Sequence, residues 1–232
     1  MRTESICEGF DDRMLDKNML MDKFSRVDSR GRTLLTPFVV SKKRKTLYLH
    51  IAKTGGSTVT SILRDNKLDD RVLTAKKRKI SEKKKHFQDI VDHWDEYFKF
   101  TFVRNKFDLL VSLWHYDKRF LNVDFPTFIR KVVVPSLDNY NWWIDQYFLT
   151  TLQGEPIFDF VGRTESLTTD LSKVCRRIGI KKHDTRRRRN VGRYDRKIPF
   201  WSYYTDELGE CVHGKFRQEI DHFKFMLPSN MR

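Results

Sequence analysis

The segment Thr46-Leu47-Tyr48-Leu49-His50-Ile51-Ala52-Lys53-Thr54-Gly55-Gly56-Ser57-Thr58 begins as β-prone apolar residues and passes through a lysine and a glycine pair. Ser57 to Arg64 then has the make-up of a helix, so the stretch reads as strand, tight loop, helix. Glycines let a backbone approach an anion closely, and a helix N-terminus offers unpaired N–H groups with a partial positive charge. Lys53 adds a full charge to that arrangement. The segment is therefore built as a phosphate cradle. It is not a Walker A loop, because the lysine precedes the glycines and the Gly-Lys-Ser/Thr ending is missing. Taken alone, the same residues also suit an ordinary β-α turn with a surface lysine, so by itself the loop supports anion binding and nothing finer.

Working outward, Tyr97 to Val103 forms a second β-prone run that ends at Arg104 and Asn105. A helix is predicted over Asp108–Tyr116. An arginine at a strand terminus can grip phosphate through its planar fork, and Ser112 in the following helix can turn a hydroxyl toward the same group. Gln88–Trp94 reads as a helix, and Phe120–Leu152 as mostly helical with breaks at Pro126 and Pro135. A third strand is predicted over Ile157–Val161. It is followed by a helix in which Leu171, Val174, Cys175 and Ile178 share a face and which Gly179 ends. A last helix spans Thr205–Phe225, with Leu208, Val212, Phe216, Ile220 and Phe223 on its buried side. Strands alternating with helices predict the α/β class: one domain, with a central, mostly parallel sheet flanked by helices. Ligands of such sheets sit beyond the carboxyl ends of the strands, where Lys53 and Arg104 both fall.

At 232 residues, 39% of them hydrophobic, the chain is long enough for one substantial core. Residues 1–45 are polar and read as an N-terminal arm or short helix whose apolar patch is Leu34 to Val40. Residues 46–232 form the main domain. Cys7, Cys175 and Cys211 are an odd number without metal or redox spacing, which favours a reducing compartment over a disulfide framework. No apolar run reaches the roughly 20 residues needed to cross a bilayer, and the first residues are charged where a signal peptide is apolar. The net charge is +15, concentrated in Lys42–Lys45, Lys76–Lys79, Lys83–Lys85 and Arg186–Arg189. A polyanion is the implied partner: a multiply charged nucleotide, an acidic polysaccharide, a nucleic acid or an anionic membrane face.

The pair HIAKTGGST (His50–Thr58) and FVRNKFDLLVS (Phe102–Ser112) resembles the 5′-phosphosulfate loop and the 3′-phosphate motif of sulfotransferases that use 3′-phosphoadenosine 5′-phosphosulfate (PAPS), especially the branch acting on carbohydrates. The likeness extends to Phe160–Leu167 and Tyr203–Leu208, and covers about Thr46 to Phe225. Ala52, Lys106 and Leu109 depart from the residues usual in that family, which are proline, proline and arginine. The resemblance implies a P-loop-like nucleotide-binding fold and sulfuryl transfer from PAPS to an acceptor hydroxyl, on a glycan that can itself be acidic. It implies Lys53 as stabiliser of the leaving group, with Thr54, Gly55, Gly56, Ser57 and Thr58 on the 5′-phosphate and Arg104 and Ser112 on the 3′-phosphate. No metal is required by the scheme. His86, between the two motifs, is the expected general base, with Glu82 and Asp89 as acidic alternatives. Asn190 and Arg193 would close over the nucleotide from the Arg186–Lys197 loop, and Trp142, Trp143, Asp145 and Gln146 would line the acceptor cleft.

Two other functions compete. A P-loop-like kinase lacks its Walker lysine and an evident magnesium carboxylate here. A basic module for nucleic acid or another polyanion would need a recognisable motif or aromatics interleaved with Arg186–Arg189, and neither is present, so no nucleic-acid partner is expected. The expected location is cytoplasmic, with a Golgi-lumenal domain freed of its anchor as the alternative.

Overall fold

The computed structural model describes residues 15–27, 33–75, 77–120, 122–135, 144–181 and 198–228. In chain order the elements are α1 (Lys17–Ser25), β1 (Phe38–Ser41), β2 (Thr46–Leu49), α2 (Gly56–Asp65), α3 (Ile80–Asp92), β3 (Phe98–Val103) and α4 (Lys106–Tyr116). They continue with α5 (Phe125–Phe128), which runs on as a π-helix over Ile129–Val133, and then α6 (Gln146–Thr150), β4 (Thr151–Leu152) and β5 (Glu155–Pro156). Last come β6 (Phe160–Arg163), α7 (Leu167–Arg177), α8 (Asp206–Lys215) and α9 (Arg217–Phe223).

The main sheet has the order β1-β2-β3-β6. β1 is antiparallel to β2, whereas β2–β3 and β3–β6 are parallel. The predicted α/β class and mostly parallel sheet are therefore observed. Side chains alternate across the sheet as the two-residue period of a strand requires. Leu47, Leu49 and Val103 face a core shared with α1, α3, α4, α8 and α9. Tyr48, Phe100 and Phe102 face a smaller core under α2 and α7, where Leu171, Val174, Cys175 and Ile178 are all buried. The sheet is thus covered on both faces, which leaves its strand ends, among them those of β2 and β3, open to the loops that follow them.

Several elements differ from the sequence reading. The described part of the arm joins the sheet and the core: β1 pairs with β2 from Phe38↔Leu49 to Ser41↔Thr46, so the hairpin crosses the 45/46 boundary, and Leu20, Phe24, Leu35 and Phe38 are fully buried. Lys23 of α1, itself buried, donates to the carbonyls of Phe148 and Thr151 and so caps the end of α6. Helix α3 starts at Ile80, inside the stretch read only as basic. The third strand lies at Phe160–Arg163 instead of Ile157–Val161, because the Asp159 carboxylate takes the Lys99 N–H at 2.6 Å just where the ladder to β3 begins. Pro126 sits in the first turn of α5 and opens that helix instead of breaking it, below an Asp124 cap. The last helix is divided at Phe216, whose φ of −114° and ψ of 26° are non-helical, yet the buried stripe from Leu208 to Phe223 continues across the break.

Candidate functional site

The loop after β2 is shaped by three backbone features. Gly55, at the cap of α2, has φ 82° and no side chain to cap the helix, so the first turn of a ten-residue helix faces the loop with its N–H groups forward. A Cβ on Gly56 would lie 1.9 Å from the His50 ring, so only glycine lets the helix start this close to the strand. Lys53 has φ 65°, a left-handed conformation that costs a residue with a Cβ about 1–2 kcal/mol. Two bonds hold it there. The Thr54 hydroxyl donates to the Ile51 carbonyl at 2.9 Å, and Arg104 Nη1 donates to the Lys53 carbonyl at 3.0 Å.

That second bond joins the ends of adjacent parallel strands and brings Lys53 and Arg104, predicted from separate motifs, into one site. Burial, then the nearby Arg104 charge, lower the Lys53 pKa. Among the described residues its ammonium meets the ring of Tyr116, 4.0 Å from the centroid, and no carboxylate. Arg104 is itself compensated: Nε and Nη2 donate to the Asp108 carboxylate, both at 2.7 Å, a bidentate pair that fixes the guanidinium plane. Asp108, Ser112 and Tyr116 recur every fourth residue on α4 and so share one face. Asp108 touches Arg104 and Tyr116 touches Lys53, which places the buried Ser112 between the two cations.

Under the loop, His50 is held neutral. Burial first, and Arg64 second, lower its pKa to about 4. It serves as packing beneath Gly56, just beyond the end of β2. Thr54 is fully buried and closes the loop instead of opening onto it, so any contact it makes with an anion there would run through its backbone.

His86 lies on α3, and a chain of contacts places the first turns of that helix at the same edge of the sheet. Lys83 Nζ donates to the Thr36 hydroxyl at 3.1 Å, and the neighbouring Pro37 carbonyl accepts from the His50 N–H at 3.1 Å. His86 Nε2 lies 2.7 Å from Arg78 Nη1. A guanidinium can only donate, so Nε2 is the acceptor and the ring proton is on Nδ1.

Gln146 is fully buried rather than cleft-lining, and its side chain bonds the backbone of Arg104. Asp145 caps α6 by accepting from Phe148 N. Trp142, Trp143, Asn190, Arg193 and the rest of the Arg186–Lys197 loop lie outside the described residues. Sequence reading missed Asp108, Tyr116 and Arg78. The first two follow from four-residue spacing around Arg104 and Ser112, whereas no pattern marks Arg78 apart from the other basic residues.

The sequence profile of the sulfotransferase family matches residues 36–218. An uncharacterized protein of Archaeoglobus fulgidus is 33% identical over 95 residues, covering 38% of this chain and 72% of that one. No solved structure matches.

Proposed function

The chain belongs to the sulfotransferase family, and we propose that it moves a sulfuryl group from PAPS to an acceptor hydroxyl on a carbohydrate. One observation supports the donor above all others: Arg104 and Lys53, at the ends of neighbouring strands and 3.0 Å apart through the Lys53 carbonyl, flank the uncapped start of α2. The donor has a charged group at each end, a 3′-phosphate and a 5′-phosphosulfate, and this edge presents a cation for each. The glycine start of α2 suits the 5′ end. Ser112, between Arg104 and Lys53 on α4, suits the 3′-phosphate.

As the acceptor oxygen attacks sulfur, the bond from sulfur to the bridging oxygen breaks and negative charge grows on that oxygen. The Lys53 ammonium supplies the countercharge and stays protonated throughout. His86 takes the acceptor proton on Nε2, the nitrogen that accepts from Arg78 in the resting structure, so the acceptor hydroxyl replaces Arg78 as its partner. Arg193 and Asn190 would complete the nucleotide site, and Trp143 would stack on the sugar.

Calorimetry with 3′-phosphoadenosine 5′-phosphate and with AMP tests the donor. The bisphosphate should bind at least tenfold more tightly, and Arg104→Ala should remove most of that preference; equal binding of the two by the unaltered protein would overturn the assignment. Labelled PAPS offered with glycans and simple alcohols then identifies the acceptor, with glycan labelling expected and labelling confined to non-carbohydrate alcohols refuting that part.

A further inference from the structure

Behind Arg104 lies a group of charged and amide side chains shielded from solvent. Lys106 and Gln146 are 0% exposed and Glu219 is 2% exposed. Charges are rarely buried so deeply unless each is paired and hydrogen-bonded. Here Gln146 links the group to Arg104. Gln146 Oε1 accepts from the Arg104 N–H at 2.6 Å, and Gln146 Nε2 donates to the Arg104 carbonyl at 2.8 Å. One side chain thus satisfies both polar groups of a single residue's backbone, as a neighbouring strand would.

The amide has only one workable orientation, and Glu219 enforces it. Gln146 Nε2 donates its other proton to Glu219 Oε1 at 2.6 Å, and the Gln146 backbone N–H goes to Glu219 Oε2 at 2.8 Å. A flipped amide would set oxygen against the carboxylate and against the Arg104 carbonyl, and NH2 against the Arg104 N–H. Lys106 Nζ supplies the countercharge at 2.9 Å, donates to the Ile144 carbonyl at 2.7 Å, and rests 4.2 Å from the centre of the Phe216 ring. The residues after α9 grip the same loop: Asn105 Nδ2 donates to the Met226 carbonyl at 2.7 Å. Arg163, at the end of β6, donates to the Phe223 carbonyl.

We infer that Glu219, acting through Gln146 and balanced by Lys106, is a positioning residue that sets the Arg104 peptide, and with it the guanidinium aimed at the nucleotide's 3′-phosphate. The inference rests on the nucleotide assignment above. It gives the C-terminal helix a share in nucleotide selectivity without any contact to the nucleotide. Gln at 219 has a single carbonyl oxygen for the three donors that the carboxylate now serves, and its NH2 must face one of them. The Gln146 amide then loses one of the two partners that fix its orientation, and its clamp on the Arg104 peptide loosens.

The test compares binding of 3′-phosphoadenosine 5′-phosphate and of AMP to the full chain, the Glu219→Gln variant and the double variant Lys106→Met, Glu219→Gln. The double variant removes both buried charges, so it is expected to fold even if the single variant does not. In each folded variant the preference for the 3′-phosphate should fall at least fivefold while AMP affinity stays within twofold. A merely structural role would weaken both nucleotides together or neither, and either result would overturn the inference. If the unaltered chain itself shows no preference, the nucleotide assignment fails instead, which keeps the two failures apart.

Discussion

At the scale of single residues, the site depends on groups that are held in an uncommon state. His50 is the clearest case. Its pKa of about 4 lies below the ordinary 6.5, because the ring is buried beneath Gly56 and lies near Arg64. The unfolded chain therefore binds more protons than the native one between these two values, and stability rises with pH across that window. Above pH 6.5 the contribution is complete, and it is lost as the pH falls toward 4. The shift corresponds to about 2–3 kcal/mol for a ring that keeps some solvent contact. His50→Gln has no such proton to bind. In urea denaturation at pH 7 and pH 4, the unaltered protein should lose about 2–3 kcal/mol more than His50→Gln. Equal losses would mean that the imidazole is not held neutral. Lys53 follows the same logic. Its lowered pKa brings the loss of its positive charge to a lower pH than for an ordinary lysine.

At the scale of elements, α4 carries the proposed site, since Asp108 bonds Arg104, Tyr116 touches Lys53 and Ser112 lies between them on the same face. Tyr116 is 67% exposed, so its ring is not there for core packing; its contact at 4.0 Å is with the Lys53 ammonium. A cation–π contact of this kind contributes about 0.5–2 kcal/mol. Tyr116→Ala should therefore lower kcat about three- to tenfold in a PAPS transfer assay, and Tyr116→Phe, which keeps the ring, should restore it. An equal defect in both variants would point to the hydroxyl instead. This face was half legible in the sequence, because Arg104 and Ser112 announce themselves and the helical period supplies their neighbours. β2, β3 and the loop between Ile51 and Gly56 were legible for a similar reason, as apolar alternation and glycines are local signals. What could not be read depends on partners distant in sequence. The four residues of β1 look like any short apolar patch until β2 lies beside them. The shift of the third strand to Phe160 turns on Asp159, whose carboxylate takes the Lys99 N–H while its own N–H bonds the Lys99 carbonyl. Glu219 looks like a surface acid until Lys106 and Gln146 surround it.

At the scale of the molecule, the chain carries a net charge of +15, and two of its basic runs among the described residues lie at opposite edges of the sheet. Lys42–Lys45 form the turn between β1 and β2 at the edge away from the site, where Lys42 pairs with Asp89 and Lys45 with Glu96. Arg44 lies there too, beside Gly179 at the end of α7. Arg78 and Lys83–Lys85 flank the start of α3, at the edge that holds His86 and the Lys53 loop. Fields from exposed charges fade over about 8 Å at physiological salt, and the second group, on and beside the same helix as His86, acts most directly on an acceptor approaching it. An anionic glycan would be drawn in by that edge, and the benefit would appear in its capture more than in the chemical step. Lys84→Glu with Lys85→Glu should raise KM for an acidic acceptor severalfold at low salt, with kcat within twofold, and added salt should shrink the difference. Lys43→Glu with Lys181→Glu changes the net charge equally at the far edge and should leave KM unchanged. A neutral acceptor should respond to neither pair. Should both pairs raise KM alike, the net charge would be acting as a whole, and the α3 edge would have no special part in acceptor capture.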